Sequence, residues 1–178
     1  INMESLIEHF ITDFHERNLP TVTPRETKLP EIQGKIDTVI GMRRAGKTYF
    51  LYQIMLNKLN EGIPKERLLY INFDDERLLP LTVDQLHLIS DVYYRLFPQF
   101  KQEKCYFFFD EIQNILGWEL FVRRLLDNEK LHITLTGSSS KLLSKEIATS
   151  LRGRGITTEI FPFSFREALS HENPKIQL

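Results

Sequence analysis

The chain has 178 residues, with 23 Lys+Arg against 24 Asp+Glu and a formal net charge of −1; this excludes a strongly basic nucleic-acid module, though a local basic patch remains open. Hydrophobic residues make up 42% and charged residues 26%, a mix that fills a core and excludes a disordered chain, and the length suits one domain with a short extension. The single cysteine, Cys105, excludes an intrachain disulfide and a Cys-based zinc site, and no apolar run reaches the ~18 residues that span a bilayer, so the expectation is a cytoplasmic protein with no membrane partner.

The chain starts at Ile1-Asn2-Met3 without the basic-then-apolar pattern of a signal peptide. Leu6, Ile7, Phe10, Ile11 and Phe14 recur at helical spacing and predict an amphipathic helix. Residues 18–35 hold Pro20, Pro24, Pro30 and Gly34 and read as an extended arm. Ile36 to Ile40 is a first strand, and Gly41 opens a loop. The stripe Phe50, Leu51, Ile54, Met55 and Leu59 predicts a helix that Gly62 and Pro64 stop. Leu68 to Phe73 is a second strand. Thr82 to Gln85 fits a capping box for a helix carrying Leu86, Ile89, Val92, Tyr93 and Leu96.

Cys105 to Phe109 is a third strand; its continuous apolar run implies burial on both faces, as in a parallel sheet. Trp118, Phe121, Val122, Leu125 and Leu126 mark a further helix. His132 to Thr136 is a fourth strand. Leu142, Leu143 and Ile147 suggest another helix, Thr157 to Phe161 a fifth strand, and Ser164 to Glu167 a second capping box. Strand and helix alternate, the pattern of an α/β domain with a mostly parallel sheet. The end, Pro174-Lys175-Ile176-Gln177-Leu178, has no stop character and reads as cut from a longer chain.

Gly41-Met42-Arg43-Arg44-Ala45-Gly46-Lys47-Thr48 is a G-x-x-x-x-G-K-T run between a strand and a helix. Its glycines let backbone N–H groups turn inward around an anion, and the helix N-terminus adds a favourable dipole. This loop, with the adjoining Tyr49, is the candidate nucleotide-binding segment. Lys47 would sit at the β- and γ-phosphates and Thr48 would offer its hydroxyl to Mg²⁺. Arg43 and Arg44 either add positive field or stay solvated. A second carboxylate for the metal should end a buried apolar strand; Asp110 does so. Glu111, the next residue, is placed to deprotonate an attacking water, which tilts the chemistry toward hydrolysis.

Thr136-Gly137-Ser138-Ser139-Ser140 leaves the fourth strand. Ser138 or Ser139 is the candidate for sensing the γ-phosphate, with helix capping by Ser139 or Ser140 the alternative. Leu151-Arg152-Gly153-Arg154-Gly155 presents Arg152 or Arg154 as an arginine finger, in cis or on a neighbouring subunit, or else as a basic surface loop. Asp74 and Asp75 either support the metal's water shell or form an acidic turn. The five histidines show no ligand spacing and read as structural or exposed, and Cys105 reads as an inert core residue.

The loop 41–48, Tyr70-Ile71-Asn72-Phe73-Asp74-Asp75, Phe109-Asp110-Glu111-Ile112-Gln113, Gly117-Trp118-Glu119, Thr136-Gly137-Ser138-Ser139 and Leu151-Arg152-Gly153-Arg154, with Pro24-Arg25-Glu26 and Phe161 to Glu167, resemble the bacterial and archaeal AAA-type ATPase domain family. That family is an ASCE branch of the P-loop NTPases. The resemblance implies a three-layer αβα fold with a five-stranded, mostly parallel sheet of order 5-1-4-3-2. It implies Asp110 as the metal carboxylate, Glu111 as catalytic base and a sensor within Thr136 to Ser139. It divides the chain into a helix and arm (1–35), an ATPase domain (36–170) and the start of a linker (171–178) to a missing C-terminal domain.

The expected activity is Mg²⁺-dependent ATP hydrolysis coupled to a partner. ATP rather than GTP rests on the resemblance and on the absence of an Asn-Lys-x-Asp base-reading motif. Homo-oligomers, and DNA or protein contacts through the missing domain, are the candidate partnerships. The rivals are a P-loop small-molecule kinase, whose arginine lid could only be the Arg152–Arg154 loop, and an ATP-gated switch with little turnover.

Overall fold

A computed structural model describes residues 2–172. Among them, strands β1 (Ile36–Gly41), β2 (Leu68–Asn72), β3 (Cys105–Asp110), β4 (Leu131–Gly137) and β5 (Gly155–Ile160) form one sheet. Its order is β2-β3-β4-β1-β5 with every pairing parallel. This is the implied order 5-1-4-3-2 read from the other edge. In register, Ile40 lies opposite Gly137 and Asn72 opposite Asp110. The segments leaving β1, β2, β3 and β4 therefore emerge together at the carboxyl edge, where α/β sheets bind ligands.

Helix α1 (Met3–Glu16) precedes the sheet; α2 (Lys47–Asn60), α3 (His87–Leu96) and α4 (Trp118–Asn128) cross between strands. All six positions of β3 are buried, because both faces of the sheet are covered. On one face Phe50, Leu51, Ile54 and Met55 of α2 pack with Val39, Tyr70, Tyr106 and Phe108. On the other, Ile89 and Tyr93 of α3 and Trp118, Phe121 and Val122 of α4 pack with Phe107, Phe109, Ile133 and Leu135. Helix α1 guards the β2 edge: the His15 ring nitrogen Nε2 lies 2.8 Å from the Leu68 carbonyl oxygen, shielding an edge that would otherwise invite another strand.

The expected helix after Thr82 begins later. Val83–Gln85 is a single 3₁₀ turn and α3 starts at His87, entered from Leu86 already in helical geometry (φ −57°, ψ −31°). The helix expected around Leu142 and Ile147 is two short ones, α5 (Ser139–Leu142) and α6 (Lys145–Ser150). Ser144 divides them by capping α6, its Oγ accepting from Ile147 N–H at 3.2 Å. The last helix, α7 (Phe165–Glu172), opens on the expected capping box: Ser164 N–H donates to Glu167 Oε2 at 2.8 Å and Glu167 N–H to Ser164 Oγ at 3.2 Å. Of the linker expected over 171–178, the first two residues still belong to α7, and the rest, with the His171 side chain, lies outside the described residues. Among the described residues, no helix is long and apolar enough to cross a membrane.

One polar pair lies inside the sheet. His132 Nε2 is 2.8 Å from Asp37 Oδ2, with the two side chains 5% and 1% exposed. The same oxygen accepts the Glu31 N–H at 3.2 Å, and Asp37 Oδ1 has no hydrogen-bond partner among the described residues.

Candidate functional site

The loop between β1 and α2 is built around two glycines with different duties. A Cβ on Gly41 would meet the Ile160 carbonyl oxygen at 2.6 Å, so β5 can approach only a glycine. Gly46 takes φ +91° as the N-cap of α2, a conformation that L side chains rarely adopt. Arg44 also lies in the left-handed region, at φ +64°. Lys47 folds back under the loop, its Nζ donating to the Gly41 carbonyl at 2.8 Å and standing 3.5 Å from Glu111 Oε1.

Asp110, 1% exposed at the end of β3, is the hub. Its Oδ2 accepts from Thr48 Oγ1 at 2.7 Å and from the Tyr70 hydroxyl at 2.7 Å. Its Oδ1 accepts from Thr136 Oγ1. Thr136 Oγ1 in turn accepts the Glu111 backbone N–H at 2.9 Å, so one threonine ties β4 to both carboxylate residues. Burial, and then the neighbouring Asp110 carboxylate, push the Tyr70 phenol far above its ordinary range. It stays protonated and can only donate to Asp110. The fit to a divalent cation follows from the donor set: the Thr48 hydroxyl and the Asp110 carboxylate converge, two hard oxygens with the remaining positions left for water and phosphate, as Mg²⁺ prefers. Among the described residues no cluster of three or more His, Cys, Asp or Glu side chains offers a rival metal cage.

Lys47, Thr48 and Glu111 face an open cleft of about 900 Å³, bounded by residues 41–49, Asp74, Glu111, Ser138, Ser139 and Ser140, with Asp110 buried behind them. Met42, Arg43, Arg44 and Tyr49 are exposed along it. Ser138 is the N-cap of α5 without a side-chain capping bond, and its Oγ lies 3.5 Å from Ser140 Oγ. The wiring to Asp110 and Glu111 runs instead through Thr136. Asp74 reaches the cleft, whereas Asp75 is turned away and held by Arg77 at 2.9 and 2.7 Å.

The structure does not bring Arg152 or Arg154 to this cleft. Both precede β5 and so lie at the amino edge of the sheet; the six residues of β5 separate them from the phosphate-loop edge, a span of ~20 Å that no side chain bridges. Arg154 Nη1 bonds Asp127 Oδ1 at 2.5 Å. An arginine finger acting in cis is thereby corrected: the register of β5 on β1 places these residues at the wrong end.

Residues not singled out individually complete the site. Arg25, from the extended arm, donates through Nη1 to the Phe161 carbonyl at 2.6 Å and through Nη2 to the Ala45 carbonyl. Its own backbone is clasped by the Gln53 side chain at 2.8 and 3.0 Å. The arm therefore fastens the loop to the chain leaving β5. Desolvation holds the Arg25 guanidinium below its ordinary range. No local pattern announces this contact, since its partner lies 20 residues away. Tyr70 carried a signal, a polar-tipped residue in an apolar strand, and Gln113 stood beside the acidic pair.

Comparison with known proteins matches residues 33–169 to the AAA domain family. An uncharacterised protein of Methanocaldococcus jannaschii is 44% identical over 174 residues, 97% of this chain and 37% of that protein. An uncharacterised protein of Haemophilus influenzae is 37% identical over 140 residues, 78% of this chain and 34% of that one. The chain thus spans about a third of the length of the curated relatives it matches. Among solved structures, Aeropyrum pernix ORC1 in complex with DNA overlays with a TM-score of 0.53 at 10% identity, covering 97% of this chain and 48% of ORC1. Hsp104 in its closed state with ATPγS and FITC-casein gives 0.50 at 15% identity, covering 98% and 30%. At these identities the two structures speak to the fold alone.

Proposed function

The chain belongs to the AAA domain family of P-loop ATPases, and from that premise we propose that it binds MgATP in the cleft over residues 41–49 and hydrolyses it. The observation that carries this reading is the convergence on Asp110 of Thr48 and Thr136, with Lys47 and Glu111 3.5 Å apart beside them. The loop amides and Lys47 bind the phosphates, and Thr48 and Asp110 hold Mg²⁺. The metal supplies neutralisation of phosphate charge. Glu111 takes the proton from the attacking water. Ser138 or Ser139, both on the cleft wall, would meet the terminal phosphate.

The kinase reading loses its lid, because the Arg152–Arg154 loop lies at the opposite edge of the sheet. The same placement favours Arg152 or Arg154 acting on the site of another copy of the chain. The hydrolysis would serve a partner, protein or DNA, engaged by the part of the relatives that this chain does not span.

Calorimetric titration of MgATP into the wild type and Lys47→Ala tests the binding site. Loss of about 100-fold in affinity is expected, the scale for removing a buried charge that meets its ligand. Equal affinities would place the nucleotide elsewhere. Tyr70→Phe keeps the ring and deletes the hydroxyl on Asp110. The Mg²⁺ concentration that half-saturates nucleotide binding should rise by about 10-fold, as for other groups that orient a metal ligand. An unchanged Mg²⁺ requirement would mean that Tyr70 does not orient Asp110.

A further inference from the structure

Glu111 occupies a left-handed backbone conformation, φ +55°, which is unfavourable for a residue with a Cβ and persists only where its surroundings impose it. Its carboxylate is held at both oxygens. Oε1 faces Lys47 Nζ at 3.5 Å, and Oε2 accepts from Gln113 Nε2 at 2.5 Å. The carboxamide that donates this bond has an unusual setting. Its own Oε1 is buried and has no hydrogen-bond partner among the described residues.

Turning the amide over would set its oxygen against a carboxylate oxygen and bury an unpaired NH₂ instead, so the observed orientation is the one chemistry permits. The chain accepts an orphaned acceptor in order to aim the donor at Glu111, a sacrifice that packing alone does not explain. The room for this side chain comes from Gly137, where a Cβ would stand 2.3 Å from Gln113 Oε1 and 2.8 Å from the Leu142 side chain.

We propose that Gln113 is a positioning residue for Glu111. Its amide fixes the carboxylate at the lysine end of the cleft, and Gly137, at the end of β4, is the socket that keeps the amide aimed. The proposal rests on the reading of Glu111 as the base.

The test compares the wild type, Gln113→Ala, Gly137→Ala, Glu111→Gln and the Glu111→Gln/Gln113→Ala double variant for phosphate release and MgATP binding. Gln113→Ala should lower kcat by about 10- to 100-fold, the scale of a misplaced reacting group, with the dissociation constant for MgATP within about 3-fold of the wild type. Gly137→Ala, which pushes the carboxamide aside without altering it, should give the same split. In the Glu111→Gln background, Gln113→Ala should change turnover no further, because a residue acting through Glu111 has nothing left to act on. A weakened MgATP affinity with kcat intact, or a second full loss in the double variant, would overturn the proposal. A readout independent of turnover is the ¹⁵N side-chain amide signal of Gln113, which should move in Glu111→Ala. If it stays in place, the contact is absent in solution and the proposal fails. If it moves while the wild type releases no phosphate, the hydrolase reading falls and the hold of Gln113 on Glu111 stands.

Discussion

Phosphate release from MgATP is expected to fall by at least about 100-fold in Glu111→Gln, while MgATP binding is retained or tightened. Glutamine fills the same volume and can still meet the Gln113 side chain, but it cannot accept a proton from water, and general-base loss operates on this scale. Binding should hold because Lys47 keeps its bond to the Gly41 carbonyl. It should even improve, because Lys47 loses an anion 3.5 Å away that competes with the phosphates. Parallel measurement of released phosphate and of nucleotide affinity separates the outcomes. Release unchanged by the substitution would remove Glu111 from the chemistry. Negligible release by both proteins with tight binding by both would favour an ATP-gated switch.

Urea unfolding of His132→Val should show a stability loss of about 3–5 kcal/mol, the cost of stranding a buried charge. Among the described residues the Asp37 carboxylate would keep just the Glu31 N–H at 3.2 Å, with its second oxygen already unpartnered. The double variant Asp37→Val/His132→Val should recover most of that loss, since a buried pair replaced by apolar side chains is often neutral. The positions suit valine: both lie within strands of a covered sheet, on neighbouring β1 and β4. A double variant as unstable as the single one would show that the loss comes from packing around His132 and not from the abandoned carboxylate.

The parts of the site that lie in contiguous runs were legible from residue order. Gly41 to Thr48 carries its own strand–loop–helix context, and Asp110 ends a strand whose apolar run announced burial on both faces. The Arg152–Arg154 loop was legible too, in a way the motif obscured. Residues that precede a strand in a parallel sheet stand at the amino edge, away from a loop that follows a strand. What residue order could not supply were the contacts across the fold. The Tyr70 hydroxyl meets Asp110 40 positions later, and Arg25 meets the Phe161 carbonyl 136 positions later. Thr136 outranks its serine neighbours because it is still within β4, where strand register carries it beside Asp110; the serines lie past the strand end. The 3₁₀ turn at Val83–Gln85 and the split between α5 and α6 show capping chemistry acting on a scale finer than hydrophobic periodicity resolves.

The strand order has a consequence for how the site comes into being. β1 arises early in the chain but lies between β4 and β5, pairing Ile36 with Ile133 on one side and with Gly155 on the other. Both walls of the phosphate loop are therefore the last two strands of this sheet in chain order. Loop closures of this length are slow, and their entropy is spent before the contacts return it. A chain emerging from the ribosome would carry the full Gly41 to Thr48 motif long before it could grip a nucleotide. That grip would wait for β5, which brings the Ile160 carbonyl over Gly41 and the Phe161 carbonyl to Arg25.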